Sequence, residues 1–246
     1  MNCNEFNRRF DIEYNNITSN AAPGLTLEEK SVFLTKAEET ICMGIYTGVI
    51  GGYPFEADES ARRALSNLTK TVVNTAPVSS SDLLGLGIIL LGSDSKVYTL
   101  PSDVWYITYE EAVLSDVKPE CLGEYTASVI PVTQDEYYKI HDNPFRGPSR
   151  DRVLRLDLGE YTLSGNKKLY MELSSKYTIK TYLTRYMRRP LPIILENLAD
   201  SSIWGMSLKT ECELPESLHS LILQEAVKEA KITYETGLNA SVSGNG

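Results

Sequence analysis

The chain has 246 residues, of which 42% are hydrophobic and 23% are charged. This composition is that of a globular protein and excludes a chain that is disordered over most of its length. The longest apolar run, residues 83–91, is too short to span a bilayer, and residues 1–16 lack the apolar core of a secretory signal. The sequence therefore predicts one or two folded domains outside the membrane.

Charge is distributed unevenly along the chain. The formal net charge is −9, yet residues 146–189 hold 11 basic and 4 acidic residues, which gives this segment +7 and leaves −16 for the rest. Complementary charge on one chain favours binding between copies, positive surface to negative surface. Nucleic-acid binding by the basic segment is the alternative, and the acidic remainder counts against it because it repels a phosphate backbone.

Catalytic and metal-binding signatures are missing from the sequence. The four cysteines are widely spaced, as is typical of free buried thiols in a reducing compartment, and the glycine clusters match no nucleotide-binding loop. His141 stands beside Asp142, but neighbours at a helix end are not expected to face each other. Carboxylate pairs such as Glu38/Glu39 and Glu110/Glu111 are expected to be solvated. We predict no enzyme activity, no cofactor and no metal.

Helices are predicted for the first 76 residues. One spans residues 4–17, with Phe6, Phe10, Tyr14 and Ile17 on one face. A second runs from Leu27 to about Tyr46, because Thr26 and Glu29 form a capping box ahead of it. A third is predicted from near Asp58 through residue 73, with an apolar stripe formed by Ala61, Leu65, Leu68 and Val72.

Strands are predicted between residues 77 and 205, where Ile, Val and aromatic residues alternate with Gly and Pro. The runs are 83–91, 96–100, 103–114, 129–132, 153–158, 168–175 and 177–190. Thr133 and Glu136 form a second capping box, which predicts a short helix over residues 135–140. In the run VLRLDL, Leu154, Leu156 and Leu158 share one side, as in a half-buried antiparallel strand.

Two details of this region bear on function. The turn NPFRGP holds Pro144 and Pro148, which fix the backbone, and Gly147, which allows unusual angles. In the last run, Lys180, Tyr182 and Tyr186 share a face that suits stacking of single-stranded bases. An internal or intersubunit strand is the alternative interpretation of that run.

A long helix is predicted after Pro215, with two apolar stripes that indicate packing on two sides. The chain is thus predicted to be α+β, with terminal helices forming a bundle and a central antiparallel β-rich region. The expected divisions are an N-terminal helical region (1–76), a β-rich region (77–205), a C-terminal helix packing on the N-terminal helices (206–236) and a disordered tail (237–246).

Several phrases carry a resemblance to a known family. They are EEKSVFLTKAEETI, VIPVTQDEYYKIHDNPFRGPS, VLRLDL, KYTIKTYLTRYMRRPLPIILENL and TECELPESLHSLILQEAVKEAK. In order and spacing they resemble ring-forming head-to-tail connector (collar or adaptor) proteins of crAss-like, short-tailed bacteriophages. The resemblance covers about residues 26–234, and the NPFRGP turn and the spacing from YMRRP to ECELP are its most specific parts.

The resemblance implies a structural role. It implies a virion protein of the phage neck, assembled in the bacterial cytoplasm, that forms a dodecameric ring between portal and tail. Its partners would be its own copies, the portal protein and neighbouring collar or tail rings, with DNA passing through the channel without specific binding. A nucleic-acid-binding accessory protein is the alternative. The candidate intersubunit residues are Arg146, Arg150, Arg152, Lys180, Arg185, Arg188 and Arg189.

Overall fold

The computed structural model describes residues 1–15, 24–92, 94–115, 123–163 and 165–243, with side chains in α6 described up to residue 234. The chain divides into two units. The helical unit comprises Met1–Leu68 and Arg189–Gly246, and the sheet unit comprises Thr69–Arg188. The predicted α+β class is confirmed. In the part of the chain described, no helix is long and apolar enough to cross a membrane.

The described residues form six α-helices and seven strands. The helices are α1 (Cys3–Asn15), α2 (Leu27–Thr47), α3 (Glu59–Ala64), α4 (Ser80–Gly85), α5 (Gln134–Ile140) and α6 (Glu216–Ser243). The strands are β1 (Thr69–Asn74), β2 (Ser95–Pro101), β3 (Val104–Ser115), β4 (Glu124–Pro131), β5 (Arg152–Leu163), β6 (Asn166–Ser174) and β7 (Thr178–Arg188). The backbone of α6 remains helical to Ser243, which lies within the segment 237–246 that was predicted to be a disordered tail.

Both capping boxes predicted from the sequence are confirmed. The backbone N–H of Glu29 donates to Thr26 Oγ1 at 3.2 Å, while the Glu29 carboxylate accepts from the backbone N–H of Thr26 at 2.8 Å. Thr133 and Glu136 make the same reciprocal pair ahead of α5. These boxes satisfy backbone N–H groups that have no partner inside a helix, and they therefore fix where α2 and α5 begin.

Contacts within the helical unit join its terminal helices. Lys36 Nζ in α2 lies 3.2 Å from a carboxylate oxygen of Glu229 in α6. Lys231 Nζ donates to the backbone carbonyl of Glu13 in α1 at 3.1 Å. In α1, Phe6, Phe10 and Tyr14 are buried as their spacing predicts, whereas Ile17 lies outside the described residues.

The predicted third helix is wrong beyond residue 64. The helix α3 ends at Ala64, a short 3₁₀ turn follows, and residues from Thr69 form strand β1. The sequence TKTVVN is rich in β-branched residues, and β1 pairs along its whole length with β7. A long-range antiparallel partner therefore outweighs the helical spacing of Leu68 and Val72.

The predicted strand over residues 83–91 is also wrong. Ser79 caps α4 by accepting a hydrogen bond from the backbone N–H of Asp82, and residues 86–92 are irregular. Leu83 and Ile88 instead pack with Val97 and Tyr170 on the sheet. The apolar run thus supplies a cover for the sheet and adds no strand to it.

The seven strands form one curled sheet in the order β1–β7–β3–β4–β5–β6–β2. Only β4 and β5 pair in parallel among the described strands, which departs from the all-antiparallel expectation. The curl brings the two edge strands together, since Asn74 Nδ2 in β1 donates to the Thr99 carbonyl in β2 at 3.1 Å. The inner face holds a buried core that includes Tyr98, Leu100, Ala112, Leu114, Ala127, Val129, Val153, Met171, Leu173 and Tyr182.

The outer face of the sheet is covered over one half. On β5, β6 and β2, α4 and the segment that follows it pack over Val97 and Tyr170, while α5 packs through Tyr137 over Leu154 and Leu156. Strand β5 is consequently buried on both sides from Val153 to Leu156, and the predicted half-buried strand is wrong there.

Candidate assembly surfaces

The structure distributes the seven candidate basic residues over several places. Arg150 and Lys180 come together at the start of β4, where the Arg150 guanidinium lies 3.4 Å from the centre of the Tyr125 ring and Lys180 Nζ lies 2.6 Å from Glu124. Both contacts are made within the chain. They leave the basic groups exposed but partly neutralised or stacked.

Arg146 lies in the NPFRGP turn, and Arg152, the first residue of β5, contacts it. Arg152 Nη1 donates to the carbonyl of Phe145 at 2.7 Å and closes the turn, while the Arg146 side chain is exposed. A Cβ atom on Gly147 would lie 2.3 Å from the His141 carbonyl oxygen and 2.7 Å from that of Asn143. Gly147 is therefore required for close approach of backbone carbonyls. Its φ is not positive, so the unusual backbone angles that glycine allows are not what this position needs.

Arg189 lies in the helical unit and is engaged there. Its Nε donates to Glu39 Oε1 at 2.7 Å, and its guanidinium carbon lies 3.9 Å from the centre of the Trp204 ring. Trp204 has φ +52° beside Gly205 at +81°, in the tight turn between Ile203 and Met206. Arg188, at the end of β7, is half-buried and belongs to the sheet unit.

Arg185 occupies a different setting on the outer side of β7. It pairs in register with Thr71 of β1 and Tyr109 of β3, and it is exposed. Within the described residues, no carboxylate forms an ion pair with it. The basic segment is thus split, and Arg146 and Arg185 are the exposed candidates for which no ion pair is found among the described residues.

The outer face around Arg185 is the half of the sheet that no described segment of the sheet unit covers. Strands β1, β7 and β3 alternate inward and outward, and their outward side chains include Val73, Leu183, Arg185, Tyr109 and Val113. We call these five residues the open face. Val73 on the edge strand β1 is 53% exposed, and Tyr109 on the inner strand β3 is 49% exposed, so this side of the sheet presents large side chains to solvent.

The inner face carries a buried polar cluster that the sequence did not reveal. Arg155 and Tyr182 both donate hydrogen bonds to the Glu110 carboxylate, and Arg155 Nε also lies 3.0 Å from Asp157. Burial, reinforced by the neighbouring carboxylate of Glu110, raises the pKa of Tyr182 well above its usual range. The predicted solvation of Glu110 is therefore wrong. Glu110 and Arg155 form a charged pair inside the sheet.

Burial also contradicts the predicted base-stacking platform. Tyr182 and Tyr186 are 0% and 3% exposed, and Tyr186 donates to Asp103 at 3.2 Å. Burial is the main cause that raises the pKa of Tyr186 to about 12. Neither ring presents a face to solvent, so a stacked nucleobase has no access to them.

His141 and Asp142 do meet, contrary to the sequence expectation. His141 Nδ1 lies 2.9 Å from Asp142 Oδ1, and the His141 ring lies 4.8 Å from the Tyr137 ring. Among the described residues, no hydroxyl or thiol bonds the other ring nitrogen, so a nucleophile for this pair is not in place there. No group of three metal-ligating side chains occurs in the described ranges.

The cysteines of the helical unit are free thiols. Cys3 and Cys42 are buried, Cys212 is half-buried, and Cys121 lies outside the described residues. Burial raises the pKa of the Cys42 and Cys212 thiols, and the Glu38 carboxylate raises both further. Glu38 is itself fully buried, so its predicted solvation is wrong.

One feature of the helical unit was missed at the level of sequence, namely an ordered hairpin over residues 194–210. Backbone hydrogen bonds join Ile194 to Thr210 at 3.0 Å in both directions and Leu198 to Ser207 at 2.8 Å. Its turn places both Trp204 and Gly205 at positive φ, and since tryptophan is not a residue that signals such a turn, Gly205 is the only clue in the sequence.

Comparisons with known proteins agree on one kind of protein. A family model described as "Phage tail ring protein 3/4" matches residues 1–242. The chain is 43% identical over 238 residues to "Ring protein 3" of Bacteroides phage crAss001, which covers 95% of this chain and 96% of that protein. It is 37% identical over 252 residues to "Ring protein 4/5" of the same phage, which covers 98% and 97% respectively.

Proposed function

Because the chain belongs to the phage tail ring protein family of crAss-like phages, we propose that it forms one of the rings that connect the portal to the tail. The observation that carries the proposal is the full-length match to two ring proteins of one phage. Both the helical unit and the sheet unit are covered by these matches, so the proposal concerns the whole chain.

A closed ring needs two different surfaces on each copy that fit one another head to tail. The net charges of the two units do not supply such a pair by themselves. The helical unit has 18 acidic and 10 basic residues, a net charge of −8, whereas the sheet unit has 15 acidic and 14 basic residues, a net charge of −1. Charge complementarity between copies must therefore come from local basic groups of the sheet unit that meet acidic groups of the helical unit.

The proposed ring is a dodecamer, with the portal protein and adjacent collar or tail rings above and below it. The seven basic residues named from the sequence are proposed to contribute to contacts between copies. The terminal helices are proposed to form a rigid bundle, and the ring is proposed to be assembled in the bacterial cytoplasm before it becomes part of the virion.

Phage DNA is proposed to pass through the ring without specific binding. The net charge of −9 repels phosphates, which lowers the affinity of the channel for DNA. The buried position of Tyr182 and Tyr186 supports the same conclusion, because stacking rings are not presented to a strand. Absence of a mobility shift with single- or double-stranded DNA at low salt is the expected result.

Cryo-electron microscopy of the neck of purified virions tests the proposal. The expected result is a closed ring of this chain between portal and tail, with twelve copies. Quantitative mass spectrometry of the same particles should give equal copy numbers for this chain and the portal protein. Absence of the chain from virions, or its location outside the neck, would contradict the proposal.

A further inference from the structure

The open face has the composition of a binding surface. Leu183 is flanked in register by Val73 on β1 and by Glu111 on β3, and Val113 lies two residues further along β3. These aliphatic side chains form a patch beside Tyr109, whose hydroxyl donates to Glu111 at 2.6 Å. An apolar patch of this kind, bordered by polar groups, is typical of a protein contact.

The open face carries a basic and an acidic group on its outward side, Arg185 and Glu111. Lys180 at its border is neutralised by Glu124, and the Glu111 carboxylate accepts from Tyr109. Arg185 projects from the middle of the face, and in the described part of the chain it has no acidic partner. A partner that fits must therefore supply apolar side chains and at least one carboxylate.

The hairpin 194–210 of the helical unit has the complementary composition. Leu208 is 69% exposed and Trp204 is 40% exposed. The carboxylates of Glu196 and Asp200 in the hairpin, and of Glu211 directly after it, are exposed and form no ion pair within the described residues. Lys209 is the basic residue within the hairpin, and the exposed Arg189 guanidinium stacks on its Trp204 ring.

The hairpin is held rigidly at its base. The backbone N–H groups of Ile193 and Leu195 donate to the buried hydroxyls of Thr35 at 3.1 Å and Ser31 at 3.0 Å, both in α2. Lys209 N–H donates to the side chain of Asn197 at 2.7 Å. A segment ordered in this way loses little conformational entropy on binding, which favours its use in a contact.

We infer that the open face of one copy binds the hairpin 194–210 of the neighbouring copy in the ring. Leu208 and Trp204 would contact the patch around Leu183, and an acidic residue of the hairpin would pair with Arg185. The occupant is a second copy because both complementary surfaces lie on the same chain, as a head-to-tail ring requires. The inference rests on the ring assembly proposed above.

Charge reversal in phage particles tests the inference. Particles are produced with the variant chain in place of the natural one, and the neck is examined by electron microscopy and by mass spectrometry of copy number. Arg185→Glu and, separately, Leu183→Arg are expected to lower the copy number per particle by about tenfold or more. Leu84→Arg is the matched control, since Leu84 is 80% exposed on the covered half of the sheet unit, and it should assemble normally.

A second change in the same chain identifies the partner residue. Arg185→Glu is combined in turn with Glu196→Lys, Asp200→Lys and Glu211→Lys. Because neighbours in a ring carry the same substitutions, at least one combination should restore the copy number. Arg185 is exposed, so Arg185→Glu should keep the thermal midpoint of the isolated chain even if Leu183→Arg lowers it.

The outcomes separate the inference from the proposed function. Normal rings in particles carrying Arg185→Glu would overturn the inference and leave the ring function standing. Equal losses for Leu84→Arg and Arg185→Glu, or no restoration by any of the three combinations, would overturn it as well. Absence of the natural chain from the neck would overturn the proposed function itself.

Discussion

Arg155 and Glu110 form an ion pair inside the curled sheet, with side chains that are only 8% and 6% exposed. The hydroxyl of Tyr182 donates to the second carboxylate oxygen of Glu110, so the carboxylate is bonded on both oxygens. The pair joins β3 to β5, which are separated by β4 in the sheet. It therefore fixes the positions of strands that do not pair directly.

We expect Arg155→Met to lower the free energy of unfolding by about 3–5 kcal/mol, because it leaves a buried carboxylate without its cation. Urea denaturation of the isolated chain measures this change. The matched control is Lys167→Met, which breaks the exposed pair with Glu160 on the neighbouring strands β5 and β6 and should change stability by less than about 1 kcal/mol. Similar losses for the two variants would contradict the prediction.

The stability of the helical unit should fall in mild acid because of His219. This residue is 4% exposed, its Nε2–H donates to the Leu214 carbonyl at 2.9 Å, and its Nδ1 lies 2.6 Å from the amino group of Met1. Burial lowers the pKa of His219, and the Met1 amino group lowers it further, while the Leu214 carbonyl and the charges of Glu216 and Glu5 oppose the shift.

The sign follows from proton binding. As pH falls through the unfolded pKa of about 6.5, the unfolded chain takes up a proton on His219 that the folded chain does not. Stability is thus complete above that pH and is lost as pH falls toward the folded pKa. Urea denaturation between about pH 8 and about pH 5.5 should show this loss of stability in the natural chain. The control variant His141→Gln should show the same loss. If the free energy of unfolding of His219→Gln fell with pH as steeply as that of the natural chain, the assignment to His219 would be contradicted.

Arg189 and Arg185 should respond differently to truncation. Arg189→Ala removes the contacts to Glu39 and Trp204 and is expected to lower the free energy of unfolding by about 1 kcal/mol, since both contacts are partly exposed. Arg185→Ala should change it by less than about 0.5 kcal/mol. Thermal and urea denaturation compare the two variants. If Arg189→Ala keeps full stability yet weakens assembly, Arg189 serves contacts between copies.

The NPFRGP turn should not accept a side chain at Gly147. A methyl group there would contact three backbone carbonyl oxygens, those of Ile140, His141 and Asn143. Gly147→Ala is expected to destabilise the chain by about 1–3 kcal/mol, because the backbone must shift. Gly85→Ala in α4 is the control, since its Cβ would meet nothing within 4 Å, and it should be neutral or stabilising. Equal thermal midpoints for both variants would contradict the prediction.

The sequence predicted those elements whose signals are local. The capping boxes at Thr26 and Thr133 place the starts of α2 and α5 because each box joins residues only three positions apart. Strand β1 was predicted as a helix because its partner, β7, begins more than 100 residues later in the chain. The spacing of apolar residues around Val72 gives no information about a strand partner that far along the chain.

The same limit explains what was found and missed at the candidate surfaces. Alternation on β7 separates Tyr182 from Leu183 correctly, but it does not tell which side faces inward. The aromatic side was therefore predicted to be accessible, although it is buried against Tyr98 and Glu110. Arg155 is likewise buried because it pairs with Glu110, which lies 45 residues earlier in the chain. No local sequence pattern near Arg155 indicates that partner.

The sheet unit is inserted into the chain of the helical unit, and its two ends are neighbours, since Thr69 pairs in register with Met187. During synthesis on the ribosome, β1 through β7 emerge before α6, so the sheet can close while the helical unit still lacks its last helix. The helical unit is thus completed last. A chain that lacks α6 would therefore keep all seven strands of the sheet unit and lose part of the helical unit.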